Sequence, residues 1–144
     1  MLQKIILIGN LGSEPEMRYM QDGTAVTNFS LATNKRWTNK QTGEPVEETL
    51  WWRIAVWGRQ AETAQEFLSK GRQVYIEGEM KGDPQTGGPR TFTRQDGTVG
   101  AAYDVRAFNV RYLAGSKEAA AGGDQNYNSK SGEVEPTEED EIPF

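Results

Sequence analysis

The most informative stretch is LWWRIAVWG, residues 50–58, in which two kinds of side chain alternate. Consecutive side chains of a β-strand point to opposite faces of the sheet. One face of such a strand carries only apolar side chains, at Leu50, Trp52, Ile54 and Val56. We expect that face to lie against a core or a subunit interface. The opposite face then presents a different set to the outside: Trp51, Arg53, Ala55 and Trp57.

Two outward tryptophans with an arginine between them indicate a surface that binds a nucleic acid strand. Trp51 and Trp57 lie roughly 20 Å apart at about 3.3 Å per residue, which accommodates several nucleotides of an extended strand. A base can stack on each ring while Arg53 contacts a phosphate. Stacking contributes on the order of 1–3 kcal/mol per base and tolerates any base, so this pattern predicts binding without sequence preference.

Cations also flank aromatic residues in two other segments. Trp37 lies in NKRWTNK, where Lys35, Arg36 and Lys40 bracket it, and Phe92 lies in RTFTR between Arg90 and Arg94. We expect both rings to be stacking platforms, with phosphate contacts from Lys35, Arg36, Arg90 and Arg94. The remaining candidates for phosphate contacts are single cations, each of which could equally be ordinary solvated surface: Lys4, Arg18, Arg59, Lys70, Arg72 and Lys81.

The composition argues against catalysis. The chain has neither histidine nor cysteine among its 144 residues, which removes the commonest general base, the commonest zinc ligand and any disulfide. The segment GDPQTGGP, residues 82–89, lacks the lysine and the following helix of a phosphate-binding loop. The acidic residues show no spacing typical of catalysis or metal binding. We therefore expect a binding protein that is not an enzyme and has no metal and no cofactor.

Charge is divided unevenly along the chain. The formal net charge is −5, but residues 1–115 contain 14 basic and 13 acidic side chains, whereas residues 116–144 contain 2 basic and 8 acidic ones. The second segment is small, polar and acidic, and such a segment buries too little apolar surface to offset its ordering entropy. We expect residues 116–137 to be a disordered linker.

The last residues, EEDEIPF, combine four acids with an apolar tripeptide. A solubilising tail explains the acids but not the apolar end. An apolar side chain and a terminal carboxylate fit a basic, apolar pocket on a partner, and the acids add salt-sensitive attraction to a positive rim. This segment, here named the acidic tip, is predicted to dock on partner proteins: Glu138, Glu139, Asp140, Glu141, Ile142, Pro143 and Phe144.

Residues 1–115 have the pattern of short strands around one helix. Strands are predicted at 4–10, 26–37, 48–57, 72–81, 91–94 and 101–113. Apolar residues at helical spacing predict a helix from residue 59, with Lys70 in its last turn and Gly71 as its terminator. This order predicts an all-β, five-stranded OB-fold barrel with the helix between its third and fourth strands, a fold that binds oligonucleotides and oligosaccharides. A six-stranded barrel or a sandwich is the alternative.

Four stretches resemble the bacterial single-stranded DNA-binding protein (SSB) family. In chain order they are KIILIGNLGSEPEMRYMQDGTAVTNFSLAT, TLWWRIAVWGRQAE, FLSKGRQVYIEGEM and EEDEIPF. The resemblance covers most of residues 3–81, the acidic tip and, more loosely, residues 91–113. It implies that residues 1–115 form an OB-fold domain that assembles as a homotetramer and wraps single-stranded DNA.

The resemblance also implies roles for individual residues. The family's stacking positions fall on Trp37, Trp51, Trp57 and Phe92, with Trp57 in place of a usual phenylalanine and Phe92 in place of a usual tryptophan. Trp52 stands where a histidine at a subunit contact is familiar, which implies a place in the oligomer interface. The acidic tip matches the family's docking peptide for proteins of DNA replication, recombination and repair.

Nothing in the sequence predicts export or a membrane partner. The apolar run at residues 5–8 is too short for a signal peptide, and no stretch approaches the roughly 20 apolar residues of a membrane span. We expect a cytoplasmic protein, associated with the nucleoid as the resemblance implies.

Other function classes stay open from the residues alone. An OB-fold accessory of a primosome or of a phage replication system shares the fold, but it usually lacks an acidic tip. The same barrel could bind tRNA or an oligosaccharide, because a fold does not fix its ligand. Sugar binding favours polar side chains beside each ring, whereas here the neighbours are cations. An enzyme is disfavoured by the missing histidine and cysteine.

Overall fold

The structure is a computed structural model that describes residues 1–113. The expected linker and acidic tip lie outside the described residues. The elements are β1 (Ile5–Leu11), β2 (Glu16–Tyr19), β3 (Ala25–Thr38), β4 (Pro45–Trp57), α1 (Arg59–Phe67), β5 (Gln73–Lys81), β6 (Arg90–Thr93) and β7 (Val99–Tyr112). The one helix of this part of the chain is neither long nor apolar enough to cross a bilayer.

Five strands close into a barrel. The strand order is β1, β5, β7, β4 and β3, and β3 returns to pair with β1. The pair β4–β7 is parallel, and the other pairs around the ring are antiparallel. β2 pairs only with β3, and β6 pairs only with β7, so both lie outside the ring. The predicted OB-fold barrel is confirmed.

The contact that closes the ring is short. β1 and β3 pair only at Asn10↔Ala32 and Leu11↔Leu31. The amide of Gly12 then donates to the carbonyl of Ser30 at 2.9 Å, which extends this ladder by one bond. We name these contacts the seam.

The helix follows the fourth strand along the chain rather than the third. The extra strand is β2, whose four residues EMRY pair with the start of β3 through a turn at Gly23. It is short and largely charged, so its pattern gives little strand signal. Within the five-stranded ring, the helix still lies between the third and fourth strands in chain order, as expected.

The helix also ends earlier than expected. Leu68 is extended, with φ −94° and ψ 147°, because its side chain turns into the core. Lys70 is therefore not in the last turn, and Gly71 is not the terminator. Gly71 has a φ of 89° in a later turn, where its amide donates to the carbonyl of Leu11 at 2.8 Å.

The core fills the barrel and extends to the helix. Six fully buried side chains come from three strands of the ring, β3, β4 and β5: Val26, Leu31, Ile54, Val56, Val74 and Ile76. The helix contributes Ala61 and Ala64, which have no exposed surface. Thr27 is buried as well, and its hydroxyl donates to the carbonyl of Ala61 at 2.6 Å. This bond satisfies a buried polar group and fixes the helix to β3.

Candidate nucleic-acid interface

β4 has the two faces that its sequence predicts. Ile54 and Val56 are each 1% exposed, whereas Trp51 is 55% and Trp57 38% exposed on the opposite face. Leu50 is the exception. By alternation it belongs to the side of β4 that faces the core, but it is exposed. β3 and β4 continue as a two-stranded arm as far as Thr38 and Pro45, and no barrel strand covers the arm at Leu50.

A groove of about 630 Å³ runs along the outward face of β3, β4 and β7. Register places Arg53 between Ser30 on β3 and Asp104 on β7. The groove is lined by four residues that the sequence analysis named, Arg53, Trp57, Lys81 and Arg90, and by one cation that it did not single out, Arg106. Arg106 forms no ion pair with any residue in the described range 1–113.

Asp104 holds two of the groove arginines. Nε of Arg90 donates to Oδ2 of Asp104 at 2.7 Å, and Nη2 donates to Oδ1 at 3.2 Å. Nε of Arg53 lies 3.8 Å from the same carboxylate. The hydrogen bond to Asp104 raises the pKa of Arg90 above its ordinary value. A guanidinium has more N–H donors than this pair uses, so both arginines are oriented and retain donors for a phosphate.

The ring of Trp51 lies directly against Gly12. A Cβ on Gly12 would clash with the indole ring of Trp51, so only glycine allows the ring to lie against the chain there. Phe92 is seated in a similar way, because a Cβ on Gly100 would come within 2.7 Å of its ring. Two of the four predicted platforms therefore contact glycine backbone, and both remain exposed.

The two predicted platforms that do not lie on β4, Trp37 and Phe92, each have a cation near the ring, as the sequence predicts. Trp37 is exposed on the arm, with Nζ of Lys35 5.5 Å from the ring centroid. Phe92 is exposed on β6, with the guanidinium of Arg94 5.7 Å from its ring centroid. Within residues 1–113, none of the four rings packs against another aromatic ring. Separate rings are what stacking on separate bases requires.

Several predicted phosphate contacts lie elsewhere or have partners. Lys4 forms a 2.8 Å ion pair with Glu77, and Nη1 of Arg72 donates to the carbonyl of Phe67 at the helix end. Neither residue lines the groove. Arg36 pairs with Glu47 on the arm at 3.3 Å, where both side chains are exposed. The other candidates are exposed on β2 and at the two ends of the helix: Arg18, Arg59 and Lys70.

Comparisons with known proteins agree with this geometry. The model of the single-strand binding protein family matches residues 2–113. The chain belongs to the single-strand binding protein family. The resemblance on which the sequence analysis relied is therefore confirmed.

Two solved structures are similar along most of the chain. One is the SSB of Plasmodium falciparum in complex with single-stranded DNA, with a TM-score of 0.62 and 29% identity over 79% of this chain and 96% of that chain. Another is a deletion mutant of the single-stranded DNA binding protein from Thermus aquaticus, with a TM-score of 0.60 and 29% identity. That match covers 80% of this chain and 52% of the Thermus chain, so this chain aligns with about half of that protein.

Trp52 is held within its own barrel. Its Nε1 donates to the hydroxyl of Thr33 at 2.9 Å, and its ring lies 5.4 Å from that of Tyr103. It also packs against the buried core. These contacts account for the side chain in one copy, and its place in an oligomer interface stays a prediction.

Two charged residues of the groove were missed by the sequence analysis: Asp104 and Arg106. YDVRAF on β7 does alternate charged and apolar side chains, which could have placed Asp104 and Arg106 on one face. The sequence pattern does not show that β7 lies beside β4, because this pairing is parallel and joins segments that are far apart in the chain.

Proposed function

We propose that this chain binds single-stranded DNA without sequence preference and protects it. Bases stack on Trp37, Trp51, Trp57 and Phe92, and groove cations contact the phosphates between them. The observation that carries the proposal is the face of β4, where Trp51 and Trp57 are exposed on either side of Arg53. Exposed rings alternating with cations are the usual means of binding single strands of any sequence.

The charge of the groove supports a polyanionic ligand. Four cations line it, Arg53, Lys81, Arg90 and Arg106, against three carboxylates. Asp104 is shared by Arg53 and Arg90, which leaves that cluster with a net positive charge. Lys81 pairs with Glu79 at 2.9 Å, so among the described residues Arg106 is the groove cation without an acidic partner. Phosphate contacts of this kind make affinity fall with salt concentration.

The proposed assembly is a homotetramer. The outer face of the barrel, defined here by Ile6, Ile8, Tyr75 and Glu77 on β1 and β5, carries two aliphatic side chains that are about half exposed, at 55% and 54%. Among the described residues, positions 5–9 of β1 pair only with β5, so the opposite edge of that strand is unpaired. Exposed aliphatic area beside a free strand edge favours association with another copy.

The acidic tip is proposed to recruit proteins of replication, recombination and repair. The support is its sequence, in which four acids precede Ile142, Pro143 and Phe144. A short peptide with a carboxylate end is a common recognition element. In this proposal the barrel holds the DNA and the tip brings the enzymes, so the chain itself has no catalytic role.

Intrinsic tryptophan fluorescence tests the DNA-binding proposal. The full chain is titrated with a dT oligomer of about 70 nucleotides, longer than four OB-folds cover at up to about 16 nucleotides each, at low and high salt. Strong quenching by the single strand that saturates at a fixed ratio per chain is expected. Duplex DNA is the control, and an equal response to the duplex, or no quenching at all, would contradict the proposal.

A further inference from the structure

One large aromatic side chain on β7 has no assigned role. Phe108 is 51% exposed. The pairing of β5 with β7 passes from Glu77↔Asn109 directly to Gly78↔Ala107, which leaves Phe108 without a partner on β5. It is the extra residue of a β-bulge. Bulges are over-represented next to functional sites, where they re-aim a side chain.

The bulge is fixed in place by the helix. The side-chain amide of Gln60 donates to the carbonyl of Phe108 at 2.7 Å and accepts from the amide of Val110 at 3.3 Å. Two backbone groups at the bulge, the carbonyl of Phe108 and the amide of Val110, therefore have a side-chain partner on the helix. The exposed ring is consequently carried by a constrained segment of chain rather than by a loose loop.

The register of β4 and β7, continued by one residue, would bring Phe108 next to Trp57. The parallel ladder of β4 and β7 ends at Val56↔Ala107, and the next residue on each strand is Trp57 and Phe108. Neighbouring strands lie about 4.8 Å apart. Phe108 is also two residues beyond Arg106, which lines the groove, so alternation along the strand directs both toward the same face.

Cations flank this ring as they flank the four platforms. Arg106 precedes Phe108 by two positions, and Arg59 follows Trp57 by two positions and is exposed at the start of the helix. A nucleotide leaving Trp57 would therefore meet a second ring with a cation on either side. The arrangement continues the aromatic and basic pattern beyond the end of β4.

We propose that Phe108 is a further stacking platform, which takes the base next to the one on Trp57 and leads the strand out of the groove. This inference rests on the proposed function. Its occupant is a nucleobase rather than a second copy or a partner protein, because the ring follows two groove residues in register, Trp57 on β4 and Arg106 on β7, and has cations nearby.

The first experiment compares Phe108→Ala with Phe67→Ala. Phe67 is the matched control because it is also 51% exposed, but on the helix. All four tryptophans remain, so quenching by a dT oligomer reports the Kd of each full-length variant. Loss of one stacked base lowers affinity by at least about 5-fold. We expect that loss for Phe108→Ala with an unchanged salt dependence, since no phosphate contact is removed, and an unchanged Kd for Phe67→Ala.

A second pair of variants tests the inference even if Phe108→Ala lowers the stability of the folded protein. Phe108→Trp adds a fluorophore that single-stranded DNA is expected to quench, whereas the fluorophore added by Phe67→Trp stays bright. Equal affinity of Phe108→Ala and wild type, or no extra quenching in Phe108→Trp, would overturn the inference while leaving the proposed function intact. A change in oligomer mass with unchanged affinity would also overturn it, because Phe108 would then belong to an interface between copies. If the wild type does not bind single-stranded DNA, the proposed function fails and the inference fails with it.

Discussion

The groove and the outer face both expose apolar side chains, but they do so with different chemistry. In and beside the groove the exposed groups are the rings of Trp57 and Trp51, and the groove residue Arg106 has no acidic partner among residues 1–113. On the outer face they are the aliphatic Ile6 and Ile8, and the nearby Lys4 is neutralised by Glu77. Rings with spare cations suit bases and phosphates, whereas aliphatic groups with paired charges suit another protein surface. Exposed apolar area is therefore informative only together with the state of the charges around it.

Removing the two outward tryptophans of β4 is the most severe test of this division of roles. Trp51→Ala combined with Trp57→Ala should weaken binding of a dT oligomer by about 2–6 kcal/mol, or at least about 30-fold in Kd. The mass of the assembly, measured by light scattering, should stay the same because neither ring belongs to the outer face. A lower mass would contradict the division of roles.

A charge on the outer face should have the converse effect. Ile8→Asp places a carboxylate in the aliphatic patch, and we expect the assembly to dissociate to smaller species in light scattering. Val99→Asp is the control, because Val99 is even more exposed but lies on β7, outside this face. Affinity for a dT oligomer of about 8 nucleotides, which one barrel can hold, should not change in Ile8→Asp, and the mass of the assembly should not change in Val99→Asp. An unchanged mass for Ile8→Asp would show that the aliphatic patch does not mediate assembly.

A smaller change tests how the groove positions its rings. Gly12→Ala should displace the Trp51 ring, because the new Cβ would occupy the same space. We expect a loss of about tenfold in affinity, which is the contribution of one stacked base. Gly88→Ala is the matched control, since a Cβ there makes only an ordinary contact at 3.6 Å. Equal binding by the two variants would mean that the seat on Gly12 is not required.

The smallest effect concerns the paired charges of the outer face. The hydrogen bond from Lys4, followed by that from Tyr75, lowers the pKa of Glu77 below its ordinary value of 4.5. A carboxyl with a lowered folded-state pKa contributes stability above its unfolded pKa and loses it as pH falls through the folded value. Thermal melts from about pH 5 to about pH 3 should therefore fall slightly more steeply for the wild type than for Glu77→Gln. Parallel curves would exclude a stabilising role for this pair.

The sequence predicts best what depends on one strand. Alternation alone separated Trp51 and Trp57 from Ile54 and Val56, because the period of a strand is local. Prediction from the sequence fails where a feature depends on contacts between segments that are far apart in the chain. The bulge at Phe108 depends on the register of β5 against β7. The helix ends at Phe67 because the side chain of Leu68 packs into the core. The roles of Asp104 and Arg106 require knowing that β7 lies parallel to β4.

The seam closes the barrel and also contacts one of the rings that are proposed to bind DNA. Only two residue pairs and the bond from Gly12 join β1 to β3, so this is the part of the ring with the fewest hydrogen bonds to break. The residue that completes it, Gly12, is also the residue on which Trp51 rests. A base stacked on Trp51 would thus oppose local opening of the ring by linkage, since an open seam removes the seat of its platform. Amide hydrogen exchange near Leu11 and Gly12 would then slow when the groove is occupied, which makes the seam a built-in reporter of bound DNA.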